Sequence, residues 1–340
     1  MFSPNNNSNT HISPSTSPSK TPSILTKHRN STLTQISKRK RETFLREKRL
    51  QNLDKFLQSP HHNLTHTHLQ AFISSSSLLE SFHSTDQKTL LDTLWALVEI
   101  SLDPSRLDLV INLGIIPDLL RILGQACVDL LRPALKVLGN IIAGEKSQAE
   151  KVIEEPGFLQ KIFELIGHED SGIRKDVCWI LSNIVLENDT VSQALVEDEE
   201  SFRRILRIVK EDVMEVRREG MWILVNLTKR IKFRRIKRMV ECGILDCFVE
   251  ILDEDDVENV TLGLEGIMKV LECGEIMADC QRKTGNLFVE ELKMNGGIGK
   301  IDDLQWDKNK EIHKKAERIL EEFCDEEKYN ECEISLEDDS

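Results

Sequence analysis

The sequence predicts an all-α solenoid, built from one helical unit repeated along the chain, and three observations carry that prediction. Lys-Asp-Val-Cys-Trp-Ile-Leu-Ser-Asn, from Lys175, returns as Arg-Glu-Gly-Met-Trp-Ile-Leu-Val-Asn from Arg218. Aligned outward on the same frame, Trp95, Lys136, Trp179, Trp222 and Glu265 follow at steps of 41, 43, 43 and 43 residues. A second marker keeps phase with the first: Gly-Ile-Ile-Pro at Gly114, Gly-Phe-Leu at Gly157 and Gly-Ile-Leu at Gly243, with Ser201-Phe202 in the slot between.

A repeat of that length, helical throughout, is the signature of a HEAT or armadillo solenoid, in which each unit packs only on its neighbours. The 340 residues therefore need no division into globular domains. Aromatic residues make up 5% of the chain and include one Tyr, so the core has to be aliphatic. Eight Cys are scattered without the paired short spacings of a zinc site or disulfide frame, and read as buried thiols in a reducing compartment. No signal-peptide core and no run of about 20 apolar residues occurs, so a soluble intracellular protein is expected.

In chain order, residues 1–36 are rich in Ser, Thr, Asn and Pro and too poor in apolar periodicity to offset their ordering entropy, so disorder is expected. Ser3-Pro4, Ser13-Pro14, Ser17-Pro18 and Thr21-Pro22 read either as proline-directed phosphorylation sites or as plain composition. Residues 37–57 change character: Lys38, Arg39, Lys40, Arg41, Arg46, Lys48 and Arg49 stand against two Glu, and Leu45, Leu50, Leu53, Phe56 and Leu57 fall near helical spacing. Such a basic amphipathic helix suits nucleic acid, an anionic membrane or an acidic protein groove. Residues 1–57 carry a net charge of +8 while the whole chain carries −13, which leaves −21 on the rest. An arm tethered to so acidic a body is expected to associate with it, and any other partner has to compete.

Residues 58–85 read as a polar linker; its His61, His62, His66 and His68 lack the companions of a metal site. About six repeats should then fill 86–325, before an acidic tail at 326–340. The third helix of each repeat is predicted at 88–100, 132–143, 173–186, 216–228 and 257–271. Pro133 is expected at the start of its helix, where a missing N–H does no harm. The glycines ahead of the second helices suit reversals at positive φ. Gly296-Gly297-Ile-Gly299 reads as an interhelical turn. Lys229 to Arg238, seven basic residues in ten, reads as the solvated face of the next repeat's first helix, or else as a contact for an acidic partner or RNA phosphates.

Trp179 with Asn183, and Trp222 with Asn226, are four apart and share one helix face. Val177, Ile180, Leu181 and Ile184, and in the second copy Ile223, Leu224 and Leu227, supply the apolar back. Third helices of three-helix repeats line a concave surface, so these pairs should form a ladder inside a groove. Regularly spaced Asn side chains can bond both the N–H and the C=O of an extended peptide. Indole slots accept the stems of Lys and Arg, with cation–π attraction of roughly 0.5–2 kcal/mol per contact. Asp176 and Glu219, each three residues before its Trp, are placed to meet the charged heads. An extended basic peptide is the expected ligand. No phosphate-binding Gly loop, nucleophile elbow or paired metal ligands occurs, so no enzyme, cofactor or metal is expected.

These segments, with Arg-Pro-Ala-Leu-Lys-Val-Leu-Gly-Asn-Ile-Ile-Ala-Gly from Arg132, resemble the armadillo repeats of importin-α, the adaptor that binds nuclear localisation signals. The stretch from Asn286 through Gly-Gly-Ile-Gly-Lys-Ile-Asp-Asp-Leu-Gln to Ile319-Leu-Glu-Glu-Phe is similar to that family's last repeat and acidic tail. The resemblance covers about 87–327 and implies a right-handed superhelical armadillo solenoid. By position it assigns Trp179, Asn183, Trp222, Asn226, Asn140, Asp176 and Glu219 to the family's minor signal-binding site. Trp95 matches a middle-repeat Trp, although Glu99 stands where Asn or Tyr is expected, and Lys136 stands where the family also has a basic residue. The arm from Lys38 to Arg49 resembles, more loosely, an importin-β-binding segment. Counterparts of the earlier repeats, which carry the family's major site, are absent between Ser59 and Gln87, so binding at the minor site or in a rearranged groove is expected.

The resemblance thus implies an adaptor that shuttles between cytoplasm and nucleus, with signal-bearing cargo, importin-β and a recycling exportin as partners. The alternative is a regulatory or scaffold armadillo protein that binds importin-β or another partner without carrying cargo. A nucleic-acid binder is disfavoured by the acidic body.

Overall fold

The computed structural model describes residues 76–230, 233–281 and 285–324, all within the unit His61–Ser340. Among them no strand occurs. Helix α1 (Ser76–Phe82) precedes α2 (Gln87–Ser101), whose N-cap Asp86 accepts a hydrogen bond from Thr89 N. Leu78 and Phe82 of α1 are buried against α2, so this part of the expected linker is a helix that covers the first apolar face.

Five three-helix repeats follow. The first has a 3₁₀ turn at Pro104–Arg106 leading into α3 (Leu107–Asn112), then α4 (Ile116–Leu123) and α5 (Val128–Ile142). The second has α6 (Lys146–Ile153), α7 (Phe158–Leu165) and α8 (Ser171–Glu187). The third has α9 (Asp189–Glu197), α10 (Glu199–Glu211) and α11 (Met214–Arg230). The fourth has α12 (Phe233–Glu241), α13 (Ile244–Glu250) with a 3₁₀ turn, and α14 (Val257–Gln281). The fifth has α15 (Leu287–Met294), α16 (Gly297–Leu304) and α17 (Lys310–Phe323). The third helices α2, α5, α8, α11, α14 and α17 each pack on the next, and this stack is the spine of the molecule.

Local sequence explains the joints. Gly157 and Gly243 take φ of 83° and 96° immediately before α7 and α13, a left-handed backbone that a side chain would strain. Asp170 accepts from Ile173 N at 2.9 Å to start α8, and Asn188 accepts from Val191 N at 3.0 Å to start α9. Leu, Ile and Val dominate the buried set, as the scarcity of aromatics requires.

Three expectations are corrected. Pro133 lies inside α5, because the helix begins a full turn earlier, at Val128. Helix α14 runs ten residues past Leu271, straight through Gly274, to Gln281. Asn286 Nδ2 donates to Leu271 O at 2.8 Å, and the missing side chain of Gly274 makes room for its amide. Of the glycines at 296–299, only Gly296 is a turn residue, at φ 75°; Gly297 and Gly299 are already helical.

Inter-repeat ion pairs keep the same period as the sequence. Arg174 clamps Asp212 with two bonds, Nε to Oδ2 at 2.6 Å and Nη2 to Oδ1 at 2.7 Å. One repeat later Arg217 pairs with Glu254, and its neighbour Arg218 with Asp256. Burial pushes the Asp212 carboxyl up, but the Arg174 hydrogen bonds, the Val213 N–H and the Arg174 charge together outweigh it and leave its pKa below the ordinary value.

Candidate functional site

The sequence frame becomes a spatial row on the third helices. Trp95 on α2, Lys136 on α5, Trp179 on α8, Trp222 on α11 and Glu265 on α14 stand in successive repeats, and one turn on from each are Glu99, Asn140, Asn183, Asn226 and Lys269. Trp95, Glu99 and Trp222 are half-buried. The other predicted groove residues lie deeper: Trp179 is 6% exposed, Asp176 7%, Asn183 4%, Asn140 and Asn226 2% each, and Glu219 1%.

What buries them is the neighbouring third helix. Asn140 Nδ2 donates to Ser101 Oγ at 2.9 Å, and Asn226 Nδ2 donates to Ser182 O at 3.0 Å, each reaching back one repeat. These amides bind helix to helix before they bind any ligand, and their remaining capacity is the carbonyl oxygen and the second N–H. The Trp179 ring lies on the backbone of Gly139, where an added Cβ would stand 2.2 Å from Cζ3. Among the described residues Trp179 Nε1 finds no hydrogen-bond partner, although it is buried.

Charge in the row is matched internally. Lys136 Nζ donates to Asp176 Oδ1 at 3.1 Å, so the acidic residue expected at one slot already holds a lysine of the preceding repeat. Past Trp222 the row turns ionic: Lys229 Nζ is 3.6 Å from Glu265 Oε2, Lys315 Nζ is 3.0 Å from Glu265 Oε1, and Lys269 bonds Glu272 at 2.6 Å. Lys229 also lies over the Trp222 ring, 5.9 Å from its centroid. Burial lowers the Lys229 pKa, and Glu265 offsets that only in part. Of the basic run, expected as a solvated face or as a contact for an acidic partner or RNA phosphates, Lys237 is exposed and Arg238 partly so, while Lys229 faces the row, because it stands seven residues, two helical turns, after Trp222. That spacing was the signal available in the sequence. Nothing comparable pointed to Gly139 or to Lys315.

The expected importin-β-binding residues Lys38, Arg39, Lys40, Arg41, Arg46, Lys48 and Arg49, the histidines at 61–68 and the tail at 326–340 lie outside the described residues. Among the described residues no group of three or more His, Cys, Asp or Glu is arranged to hold a metal ion. Cys178 and Cys247 are buried free thiols whose pKa burial pushes up to about 12, while Cys280 is exposed. No described helix is long and apolar enough to cross a membrane.

Stacked three-helix repeats with a polar and aromatic row on their third helices define an armadillo solenoid. The comparisons agree: a designed armadillo-repeat protein described as made for modular peptide recognition superposes with a TM-score of 0.64 at 22% identity, covering 73% of this chain and 98% of that one. A second designed armadillo protein, solved with a (KR)4 peptide, gives 0.62 at 23% identity over 72% of this chain and 97% of its own. Residues 286–338 match the family model for an atypical Arm repeat. Importin subunit alpha-3 of Arabidopsis thaliana is 39% identical over 246 residues, 72% of this chain and 46% of the relative. Importin subunit alpha-1b of Oryza sativa subsp. japonica is 35% identical over 74% of this chain and 47% of its own length. The chain is a divergent, importin-α-like armadillo-repeat protein, and it spans about half the length of the curated relatives it matches.

Proposed function

We propose that the chain is a nuclear import adaptor that holds basic nuclear localisation signals along the third-helix row and links them to importin-β through Lys38–Arg49. The observation that carries this reading is the phased Trp179/Asn183 and Trp222/Asn226 pairs on α8 and α11, with Asn140, Asp176 and Glu219 around them, in a chain whose relatives are importin-α subunits. Trp95 extends the row by two repeats. The indole and amide together on α8 and on α11 suit a peptide backbone with basic side chains. When importin-β leaves, the +8 arm would fold onto the −21 body and expel cargo, and an exportin would return the adaptor to the cytoplasm.

A titration of a labelled basic signal peptide, read by fluorescence anisotropy, tests the groove. Saturable micromolar or tighter binding is expected, lost in the Trp179→Ala/Trp222→Ala double variant and tightened on deletion of residues 1–57, which also removes importin-β binding. Binding undiminished in the double variant refutes the groove. The second reading, a scaffold that binds importin-β or another partner without cargo, is favoured by the burial of the amides and by the lysine already held on Asp176. Absence of any gain in signal affinity on deleting the arm would support it.

A further inference from the structure

The C-terminal side of the row carries a feature that a plain receptor for basic peptides does not need. Two lysines from the third helices on either side converge on one glutamate: Lys229 of α11 at 3.6 Å and Lys315 of α17 at 3.0 Å both pair with Glu265 of α14, and Lys269, one turn along α14, adds like charge beside Lys229. Glu272 answers Lys269 at 2.6 Å, which leaves Glu265 shared between two ammonium groups. The Lys229 side chain is only 18% exposed, and its ammonium is within cation–π range of the Trp222 face. A ligand lysine laid on that face would have to displace this resident one, or lie beside it and suffer the repulsion of two like charges at short range.

We propose that Lys229 is a specificity-determining residue of the groove: seated on Trp222 and anchored by Glu265, it excludes a ligand's Lys or Arg from that position and, with Lys315, offers the position to a ligand carboxylate. The inference rests on the peptide-groove reading above and refines its ligand class. The preferred ligand is then a mixed-charge peptide, a short basic segment flanked by Asp or Glu, rather than a uniformly basic one. Anchoring by Glu265 holds the Lys229 ammonium in place, and Lys315 on the same carboxylate adds the second positive charge that a ligand carboxylate would meet.

The test titrates two labelled peptides of equal length into the full chain: one uniformly basic, the other with Glu replacing the basic residues on one flank. The chains compared are the native one, Lys229→Met, which keeps the apolar stem, and Lys237→Met, which removes an exposed lysine of the same basic run. The native chain is expected to favour the mixed-charge peptide about tenfold, the effect of roughly one short-range charge pair in partly exposed surroundings. Lys229→Met is expected to erase that preference by tightening the basic peptide, while Lys237→Met retains it. A native preference for the uniformly basic peptide, or a ratio unchanged in Lys229→Met, overturns the proposal. If neither peptide binds any of the chains, the groove reading itself fails. Lys229 is then decided by the indole N–H resonance of Trp222, assigned by its loss in Trp222→Phe: a shift in Lys229→Met but not in Lys237→Met keeps Lys229 as the occupant of the indole, and no shift removes it.

Discussion

The seams on either side of α11 are built from the same repeat and share one ion-pair clamp, but beyond the clamp they are held by different physics. Between α8 and α11 the Arg174–Asp212 clamp closes one end, and further along the contact is neutral, with Asn226 reaching the Ser182 carbonyl. Between α11 and α14 the same clamp recurs as Arg217 on Glu254, with Arg218 on Asp256 beside it, and the contact further along is ionic as well, with Lys229 on Glu265. One helix therefore presents an amide backwards and cations forwards. Repeat geometry fixes where neighbours meet, and the residues at that meeting decide whether the joint is specific, as a buried amide is, or tunable by charge and salt.

The largest effect should come from close packing one seam earlier, between α5 and α8. Gly139→Val places a side chain where the Trp179 ring lies, and overpacking at a site that tight costs roughly 1–3 kcal/mol or more, read as a lower midpoint in chemical denaturation. Asn226→Ala should cost about 1–3 kcal/mol, because the buried Ser182 carbonyl loses a donor. This loss should not change with salt, and a salt-dependent one would show that this part of the seam is electrostatic after all.

The Arg174–Asp212 clamp gives the pH signature of an inter-repeat ion pair. The folded-state pKa of Asp212 is lowered, so its contribution is fully present above the unfolded carboxylate value of about 4. It is lost as pH falls through the lower folded value. Unfolding free energy measured across that acidic range should therefore fall less steeply in Asp212→Asn than in the native chain, with the two curves converging at the acid end. Smallest of all, Gly299→Ala on α16 meets open space and should stabilise by about 0.5–1 kcal/mol, since helical Gly is entropically costly. Set against Gly139, it separates a glycine kept for packing from one that is not.

Much of this architecture was legible in the sequence. The phased step located the third helices α2, α8, α11 and α14 to within two residues at their starts, because hydrophobic period and Trp/Asn spacing are local properties of one helix. Helix α1 escaped notice: a seven-residue apolar pattern in a Ser-rich stretch becomes a helix only once Leu78 and Phe82 have a face to cover. The start of α5 was missed because Pro133 looked like an N-terminal residue, whereas the apolar Val128, Leu130 and Leu131 already bind the preceding turn to the stack. In the row itself the residue types were legible and their accessibility was not.

What the chain alone determined, then, is periodic: the repeat, the faces, the aliphatic core, the positions of the indoles and amides, and the opposition of a basic arm to an acidic body. The tertiary structure decided everything that depends on two repeats at once. Stacking turned Asn140 and Asn226 inward to Ser101 and Ser182, laid Trp179 on Gly139, gave Asp176 to Lys136, and brought Lys229, Glu265 and Lys315 together from helices far apart in sequence. The physical reason is that a helix fixes which side chains share its face, while burial and charge pairing are set by the neighbour that face meets.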